Sequence, residues 1–385
     1  MSSAWPSASL VAVRETGVQG QGRGLYLADE SVGVDAGAPL LCEAALVACT
    51  LEGGPLDRPW LLAAQLVEEL LEARATAGAE LATLEPRSAA DAVVPNDEAD
   101  ELNAAVDQLR QCTSAQAVSN AELTRLLLVV ARNAMALEGC QALCPRASMI
   151  NHSCSPNATH QGFRRASDKT LCVCIRAVRS IREGEQITIS YVDDLATSVR
   201  ERTASLAHHG FAAELRPCDP PLEGWLLPAA ETVRRAEVER TVHAHNVAAD
   251  EAWSAAHAGG GGGAGDEQKK QLLMRAASLY AKLLQLSSGA LDDRHAILLQ
   301  ARSRLAQVMM MSGADRSRAN ALPLWRAVLA ALRPCVPAHW PQLLPPLRSA
   351  AAAAAAAGDE SAASAFRAEY ERVLGVLNPT CPDVS

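Results

Sequence analysis

Four short segments of the sequence contain residues that could contact a polar ligand. Their glycine, amide, imidazole and phenol groups can approach or hydrogen-bond a ligand without adding net charge. The segments are Gly22-Arg23-Gly24, Arg132-Asn133, Asn151-His-Ser-Cys-Ser-Pro-Asn157 and Gly184-Glu-Gln-Ile-Thr-Ile-Ser-Tyr191. Taken alone, each has an ordinary explanation as a turn, a polar loop, a buried thiol or a strand aromatic. Their occurrence together, in this order and spacing, favours a ligand site.

The elements that position these segments follow from hydrophobic periodicity and turn residues. Short apolar runs separated by glycines predict a β-hairpin near the N-terminus, and two further runs surround a turn at 182–185. Apolar residues at helical spacing predict two helices, the second opened by a Ser119/Asn120 cap. The predicted strands are 10–13, 25–27, 170–178 and 186–191, and the predicted helices are 60–74 and 119–131. Residues 76–100 show no clear period and predict a mobile insertion.

After Thr197, nearly the whole sequence is typical of helix. Ala258–Asp266 contains five consecutive glycines and predicts a flexible linker or a long loop. The predicted helices beyond it are Lys270–Leu286, Arg294–Met311, Ala321–Leu332 and Ala362–Leu377, with an eight-alanine run at 350–357 before the last. Helices of this length joined by short turns favour an α-hairpin array of the tetratricopeptide (TPR) kind, and a plain helical bundle is an equal alternative.

Composition bounds the class of protein. The 385 residues are 49% apolar and 21% charged, which allows a packed core and excludes wholesale disorder. No apolar run reaches the roughly 18 residues that a membrane span needs, and the first residues do not resemble a secretory signal. A net charge of -9 argues against a protein that binds nucleic acid by neutralising phosphates. We therefore expect a cytoplasmic or nuclear protein whose eleven cysteines are reduced thiols.

The motifs together resemble the SET domain of protein-lysine methyltransferases. The resemblance is carried by Asn151-His-Ser-Cys154, Arg176-Ala-Val178, Gly184-Glu185 and Ser190-Tyr191. The stretches 143–154 and 190–202 are similar to the SMYD branch, in which a helical C-terminal domain follows the SET domain. The resemblance covers residues 8–218 and the helical tail in outline.

This resemblance implies an α+β fold with two domains. Residues 1–218 would form the SET β-fold with its pseudoknot, with a helical insertion at 50–130 and the SET core and a degenerate post-SET segment at 131–218. Residues 219–385 would form an all-α, TPR-like C-terminal domain.

The resemblance further implies that the protein binds S-adenosylmethionine. The loop Gly22-Arg23-Gly24 would lie against this cofactor, and Asn133 would contact its methionine portion. Asn151 and His152 would hold the pocket at the pseudoknot crossing, and Phe211 would pack on the adenine. The cofactor-binding residues implied by the family are Gly22, Arg23, Gly24, Asn133, Asn151, His152, Tyr191 and Phe211.

Tyr191 is the catalytic residue that the resemblance implies. Methyl transfer to lysine is an in-line displacement, so catalysis consists mostly of alignment and electrostatics. The matching phenol of the family orients the amine and the methyl group. The cofactor cation and a narrow channel lower the pKa of the lysine amine, so no carboxylate base is required.

The sequence departs from the SMYD pattern at its zinc-binding cysteines. Residues 50–130 contain only Cys112, so the zinc finger usually inserted there is absent. Ala213 and Leu215 replace two post-SET zinc ligands and leave Cys154 and Cys218, and two thiolates do not make a tetrahedral site. We therefore expect no metal. The alternative is a zinc site rebuilt from His208 or His209 with the two cysteines.

Two functions remain open at this point. The first is an S-adenosylmethionine-dependent protein-lysine N-methyltransferase that acts on a histone or non-histone protein. We expect the protein to be a monomer. The second is a catalytically weak or inactive SET module that acts as a protein-interaction scaffold. Asn133, Asn151, His152 and Tyr191 favour the enzyme, whereas the lost zinc ligands and His209, where the family has a channel tyrosine, favour the scaffold. In both cases we expect a protein partner and no direct binding of nucleic acid or membrane.

Overall fold

The computed structural model describes residues 11–17, 22–29, 33–50, 59–72, 81, 83–88, 98–192, 194–207, 226–228, 230–258, 263–311 and 314–377. They belong to two compact units, and the boundary between the units falls between Ser190 and Tyr191. The first unit combines small sheets with helices, and the second is helical. The predicted α+β fold class is therefore confirmed. The domain boundary predicted at 218/219 lies outside the described residues.

The strands of the first unit form three small sheets. They are β1 (Val11–Glu15), β2 (Arg23–Leu27), β3 (Pro39–Ala44), β4 (Val47–Thr50), β5 (Ala134–Leu137), β6 (Cys140–Leu143), β7 (Asn151–His152), β8 (Ala158–Arg164), β9 (Leu171–Ala177) and β10 (Gln186–Ile189). The strand orders are β1-β2-β10-β7, β3-β9-β8 and β4-β6-β5. β1 and β2 form the predicted hairpin. Every residue of β9 is buried, which explains the apolar run over 171–175.

A helical insertion lies between β4 and β5. Its helices are α1 (Pro59–Glu72), α2 (Ala99–Leu109) and α3 (Asn120–Asn133). Leu66 of α1 and Leu127 of α3 are buried in one apolar core, as their helical spacing predicts. The hydroxyl of Ser119 accepts the N–H of Glu122 at 3.2 Å, which confirms the predicted cap.

Part of the segment predicted to be a mobile insertion is packed. Leu81 and Leu84 are buried in the same apolar core as α1 and α3, and α2 begins at Ala99. The mobile prediction for 76–100 is therefore wrong at these residues. Isolated leucines in an Ala- and Pro-rich stretch give no periodic signal, although each buries a full side chain.

The second unit consists of helices in its described parts. They are α4 (Val199–Ala207), α5 (Thr232–Ala258), α6 (Gly263–Ser287), α7 (Ala296–Met311), α8 (Asp315–Asn320), α9 (Leu322–Leu332), α10 (Leu344–Ala356) and α11 (Glu360–Leu377). The four helices predicted between 270 and 377 correspond to α6, α7, α9 and α11. None of the helices in the described part of the chain is long and apolar enough to cross a membrane.

The predicted glycine linker is shorter than the sequence suggests. α5 extends to Ala258 and α6 begins at Gly263, so 263–266 are helical and the prediction of a linker is wrong there. Each residue added to an existing helix gains one backbone hydrogen bond. Over these four positions, propagation of α6 outweighs the low helix propensity of glycine.

A polar network joins three consecutive helices of the second unit. The Tyr280 hydroxyl of α6 donates to Asp250 Oδ1 of α5 at 2.5 Å. Gln300 Nε2 of α7 and Asn246 Nδ2 of α5 donate to Asp250 Oδ2 at 3.2 and 3.1 Å. Burial first, and then the hydrogen bond and charge of Asp250, raise the pKa of Tyr280, so its phenol remains a donor. The network fixes α5, α6 and α7 against one another.

Candidate active site

The pairing of β7 with β10 brings two of the predicted segments together. Asn151 and His152 lie opposite Thr188 and Ile189 in a short parallel pair. The N–H of Ser153 extends this pair by donating to the carbonyl of Ile189 at 2.8 Å. The Asn-His segment therefore lies directly beside the strand that precedes Tyr191.

The side chain of Asn157 fixes the other end of this arrangement. Its Oδ1 accepts the N–H of Thr188 at 2.8 Å, and its Nδ2 donates to the carbonyl of Gln186 at 2.8 Å. Nδ2 also lies 3.1 Å from Glu185 Oε1. Asn157 is buried, so these bonds replace the water that its amide would otherwise need. One asparagine thus holds the first three residues of β10 in place.

Glu185 is held as a carboxylate by its neighbours. Burial alone would raise its pKa, but hydrogen bonds from Arg179, from the Arg182 N–H and from Asn157 outweigh burial, and the pKa is lowered. Arg179 forms an ion pair with it at 2.6 Å. The ionised side chain fastens the turn that leads into β10.

Gly24 lies under two side-chain amides. A Cβ added at this position would lie 2.1 Å from Gln186 Nε2 and 3.1 Å from Asn151 Nδ2. Asn151 Nδ2 also donates to the carbonyl of Arg23 at 2.8 Å. The space that a side chain at position 24 would fill is therefore taken by protein groups, which is a sufficient reason for glycine there. Gly22 is exposed and has a φ of 57°.

Arg23 and Asn133 meet at Glu85. The guanidinium of Arg23 contacts the carbonyl of Thr83 and lies 3.5 Å from the Glu85 carboxylate. Asn133 Nδ2 donates to the backbone carbonyl of Glu85 at 3.0 Å and to that of Val129 at 2.8 Å. Two predicted site residues 110 positions apart in sequence are therefore connected through one residue of the helical insertion.

A single turn of 3₁₀-helix, Ala147–Met149, links Asn133 to Asn151. The hydroxyl of Ser148 lies 2.7 Å from the carbonyl of Asn133, to which it can donate. The Glu43 carboxylate accepts the N–H groups of Arg146 and Ala147 at 2.9 and 2.8 Å. The turn that leads into β7 is thus anchored at its start and at its middle residue.

His152 lies beside Cys154, with 3.2 Å between Nε2 and Sγ. Among the described residues, no three His, Cys, Asp or Glu side chains are grouped so that they could hold a metal ion. The remaining zinc-related positions and the predicted adenine contact, Phe211, lie outside the described residues: His208, His209, Ala213, Leu215 and Cys218. The expectation that the chain holds no zinc stays a prediction.

Tyr191 is the first residue of the second unit and follows β10 by two positions. Its side chain is half-buried, and burial raises its pKa to about 12. A phenol with this pKa keeps its proton near neutral pH, so it is a neutral hydrogen-bonding group.

Comparison with known proteins agrees with this geometry. Residues 70–192 match the SET domain family. The chain contains a SET domain. It is 40% identical over 77 residues to the histone-lysine N-methyltransferase ATXR2 of Arabidopsis thaliana, which covers 20% of this chain and 16% of that protein. It is 29% identical over 94 residues to the histone-lysine N-methyltransferase Smyd1 of Mus musculus, which covers 23% of this chain and 19% of that protein.

The SMYD-like resemblance is consistent with these matches, and the chain spans less than a fifth of the length of either relative. The part matched to the SET domain includes Asn133, Asn151, His152 and Tyr191. It begins after Gly22-Arg23-Gly24, which the structure nevertheless connects to Asn151 through the Arg23 carbonyl.

Three residues of this SET-domain network were not identified from the sequence. Glu85 lies in an aperiodic stretch, and its contacts with Arg23 and Asn133 are made across 62 and 48 positions of sequence. Gln186 is predicted only as the first residue of a strand, and Ser148 lies in the stretch 143–154 that is similar to the SMYD branch. Neither is among the predicted site residues. The one available signal was Gly24, because a glycine inside a strand indicates close approach of another group.

Proposed function

We propose that the protein is an S-adenosylmethionine-dependent protein-lysine N-methyltransferase. The observation that carries the proposal is the pairing of β7 with β10, in which Asn151 and His152 lie beside the strand that ends two residues before Tyr191. Both relatives are named histone-lysine N-methyltransferases, which supports the reaction class. The proposed substrate is a lysine side chain of a histone or another protein.

The anchored amides fit the methionine end of this cofactor. Asn133 uses its amide nitrogen in bonds to two carbonyls, and Asn151 uses its nitrogen to bind the Arg23 carbonyl. These bonds leave the amide oxygen of each side chain as an acceptor, and Asn151 also keeps the second N–H of its amide nitrogen. An ammonium group needs such acceptors, and neutral amides supply them without adding charge. When bound, S-adenosylmethionine supplies a methyl group on a sulfonium centre.

The proposed role of Tyr191 is to orient the lysine amine. Its pKa of about 12 keeps the phenol protonated, so the hydroxyl can hydrogen-bond without accepting a proton from the substrate. Alignment is the main requirement of an in-line transfer, so a fixed phenol is sufficient. Burial and nearby positive charge favour the neutral lysine amine.

The experiment that tests this proposal combines binding with transfer. The purified full chain is titrated with S-adenosylmethionine by calorimetry, and then incubated with labelled cofactor and a cell extract. We expect a saturable heat of S-adenosylmethionine binding and transfer of the labelled methyl group to a protein lysine. Both should be reduced in Asn151→Ala. Absence of both heat and label in the folded chain would overturn the proposal.

A second candidate is a SET module that acts as a protein-interaction scaffold. It is favoured by Ala213 and Leu215, which stand where the family has zinc ligands, and by His209, which stands where the family has a tyrosine of the lysine channel. This function would be favoured over the enzyme if the chain gave a heat of S-adenosylmethionine binding but transferred no labelled methyl group to histones or to proteins of the extract.

A further inference from the structure

Two cysteines lie directly opposite each other on adjacent strands of the β3-β9-β8 sheet, which is not the sheet that contains Asn151 and His152. β3 pairs with β9 in antiparallel register, and Cys42 of β3 is the partner of Cys174 of β9. Directly paired residues have their side chains on the same face of a sheet. The two thiols are therefore neighbours, although they are 132 positions apart in sequence.

The register also shows which kind of pair they form. The N–H of Ala45 donates to the carbonyl of Leu171 at 2.8 Å, so these opposed residues are a hydrogen-bonded pair. Bonded and non-bonded pairs alternate along an antiparallel ladder, which makes Cys42 and Cys174 a non-bonded pair. The Cα atoms of such pairs are about 4.5 Å apart, within the range of roughly 4.4–6.8 Å for disulfides.

The surroundings favour reaction at Cys42. Its side chain is partly exposed, whereas Cys174 is 2% exposed. The guanidinium of Arg165 lies 3.9 Å from Cys172 Sγ on the same sheet, and its charge also interacts with Cys42. A cation beside a thiol stabilises the thiolate, which is the reactive form.

Other cysteines of the first unit are less well placed to bond with Cys42. Cys172 is opposite Ala44, so it is diagonal to Cys42 at a Cα distance of about 7–8 Å, beyond disulfide reach. Cys144 is buried, and desolvation raises its pKa, which disfavours the thiolate. The geometry therefore selects Cys174 as the partner.

We propose that Cys42 and Cys174 form a reversible oxidation site that a peroxide converts into a disulfide. The Cys42 thiolate attacks one oxygen of hydrogen peroxide, the O–O bond breaks, and a sulfenic acid and one water result. The Cys174 sulfur then attacks the sulfenic sulfur, forms the S–S bond and releases a second water. Two thiols are oxidised in total, and one hydrogen peroxide is reduced to two waters.

The position of Cys42 makes the disulfide accessible to reductants. Its side chain is partly exposed, so a dithiol can reach its sulfur. Exposed disulfides are more readily reduced than buried structural ones, so a dithiol should restore both cysteines.

Peptide mapping of the full chain tests this proposal. The reduced protein is treated with hydrogen peroxide, alkylated and digested with trypsin without reductant. Cleavage after Arg23 and Arg74 gives a peptide with Cys42 and Cys49, since trypsin does not cut before Pro59. Cleavage after Lys169 and Arg176 gives a second peptide, which contains both Cys172 and Cys174. We expect these peptides to be cross-linked, and the cross-link to disappear after treatment with a dithiol.

Matched variants assign the bond within the two peptides. Cys49→Ser and Cys172→Ser should retain the cross-link, whereas Cys42→Ser should abolish it. Loss of the cross-link in Cys172→Ser, or its absence in wild type at peroxide concentrations that oxidise other cysteines, would overturn the proposal. The wild-type map does not depend on how any variant folds, and it is read without measuring methyl transfer.

Discussion

In the first unit, asparagine amides connect segments that are far apart in sequence, whereas in the second unit they close a network among consecutive helices. The Asn151 amide nitrogen donates to the carbonyl of Arg23 across 128 positions of sequence. Asn246, Tyr280 and Gln300 all donate to Asp250 and hold three helices together. The same residue types thus connect distant segments in the first unit and neighbouring helices in the second.

Tyr191 of the proposed active site and Tyr280 of the helical network provide the strongest test of this contrast. Tyr191→Phe should reduce methyl transfer by about 10²-fold, roughly 3 kcal/mol of transition-state stabilisation, because the amine loses its orienting hydroxyl. Cofactor affinity should remain unchanged, as measured by calorimetry beside single-turnover transfer. Equal turnover in variant and wild type would remove Tyr191 from the chemistry.

Tyr280→Phe is the matched control, with the opposite expected outcome. It should lower the free energy of unfolding by about 2 kcal/mol, because Asp250 loses a buried donor. Denaturant titration measures this loss, while turnover per folded molecule should match wild type. A selective fall in turnover at unchanged stability would show that the helical network serves the reaction as well as the fold.

Gly24→Ala tests the packing of the two amides in the first unit. The added methyl group meets Gln186 Nε2 and Asn151 Nδ2, and should lower stability by about 1 kcal/mol. Gln186→Ala removes the nearer of these groups, so the double variant should recover most of the loss. A thermal denaturation cycle over the four proteins measures the coupling. Additive effects would mean that Gln186 does not occupy the space beside Gly24.

Glu185→Gln should have a smaller effect that depends on pH. The folded pKa of Glu185 lies below its ordinary value of 4.5, so its carboxylate stabilises the fold above that pH. This contribution is lost as the pH falls through the folded pKa. Because Gln does not titrate, the stability deficit of the variant, at most about 1 kcal/mol near neutral pH, should narrow below about pH 4.5. A deficit that stays constant down to pH 3 would contradict the cause given for the shift.

Metal removal should have no effect, which would distinguish this chain from SET proteins that fold around zinc. We expect well under one zinc per chain by elemental analysis, and a melting temperature that does not change with EDTA. Ala213 and Leu215 stand where the family has zinc-binding cysteines. Stoichiometric zinc would instead indicate a site rebuilt from His208 or His209 with Cys154 and Cys218.

The sequence predicted the elements whose signals are local. The β1–β2 hairpin, β9, β10 and the Ser119 cap each follow from apolar runs, glycines or a capping residue within a few positions. The hairpin of β5 and β6 was missed although Glu138 and Gly139, both with positive φ, form its two-residue turn. β8 was missed because Ala-Thr-His-Gln-Gly-Phe-Arg has little apolar alternation.

The candidate site was predicted only where the residues belong to recognisable motifs. Asn151, His152 and Tyr191 lie in such motifs, and the first two lie on β7, which pairs with the strand that precedes the third. Glu85, Ser148 and Gln186 act through contacts set by tertiary structure, for which neither propensity nor spacing gives a signal. These contacts could be identified only from the folded structure.

The long-range bonds around Asn151 have a consequence for the order of folding. Arg146 donates to the carbonyl of Val11 across 135 positions, and Asn151 to that of Arg23 across 128. Closing such long loops costs chain entropy before any contact compensates for it, and proteins rich in distant contacts fold slowly. During synthesis, β2 has to wait for β10 to emerge before its sheet can be completed. The sheet that contains β2, β7 and β10 should therefore be among the last parts of the first unit to form, after the neighbouring helices have packed.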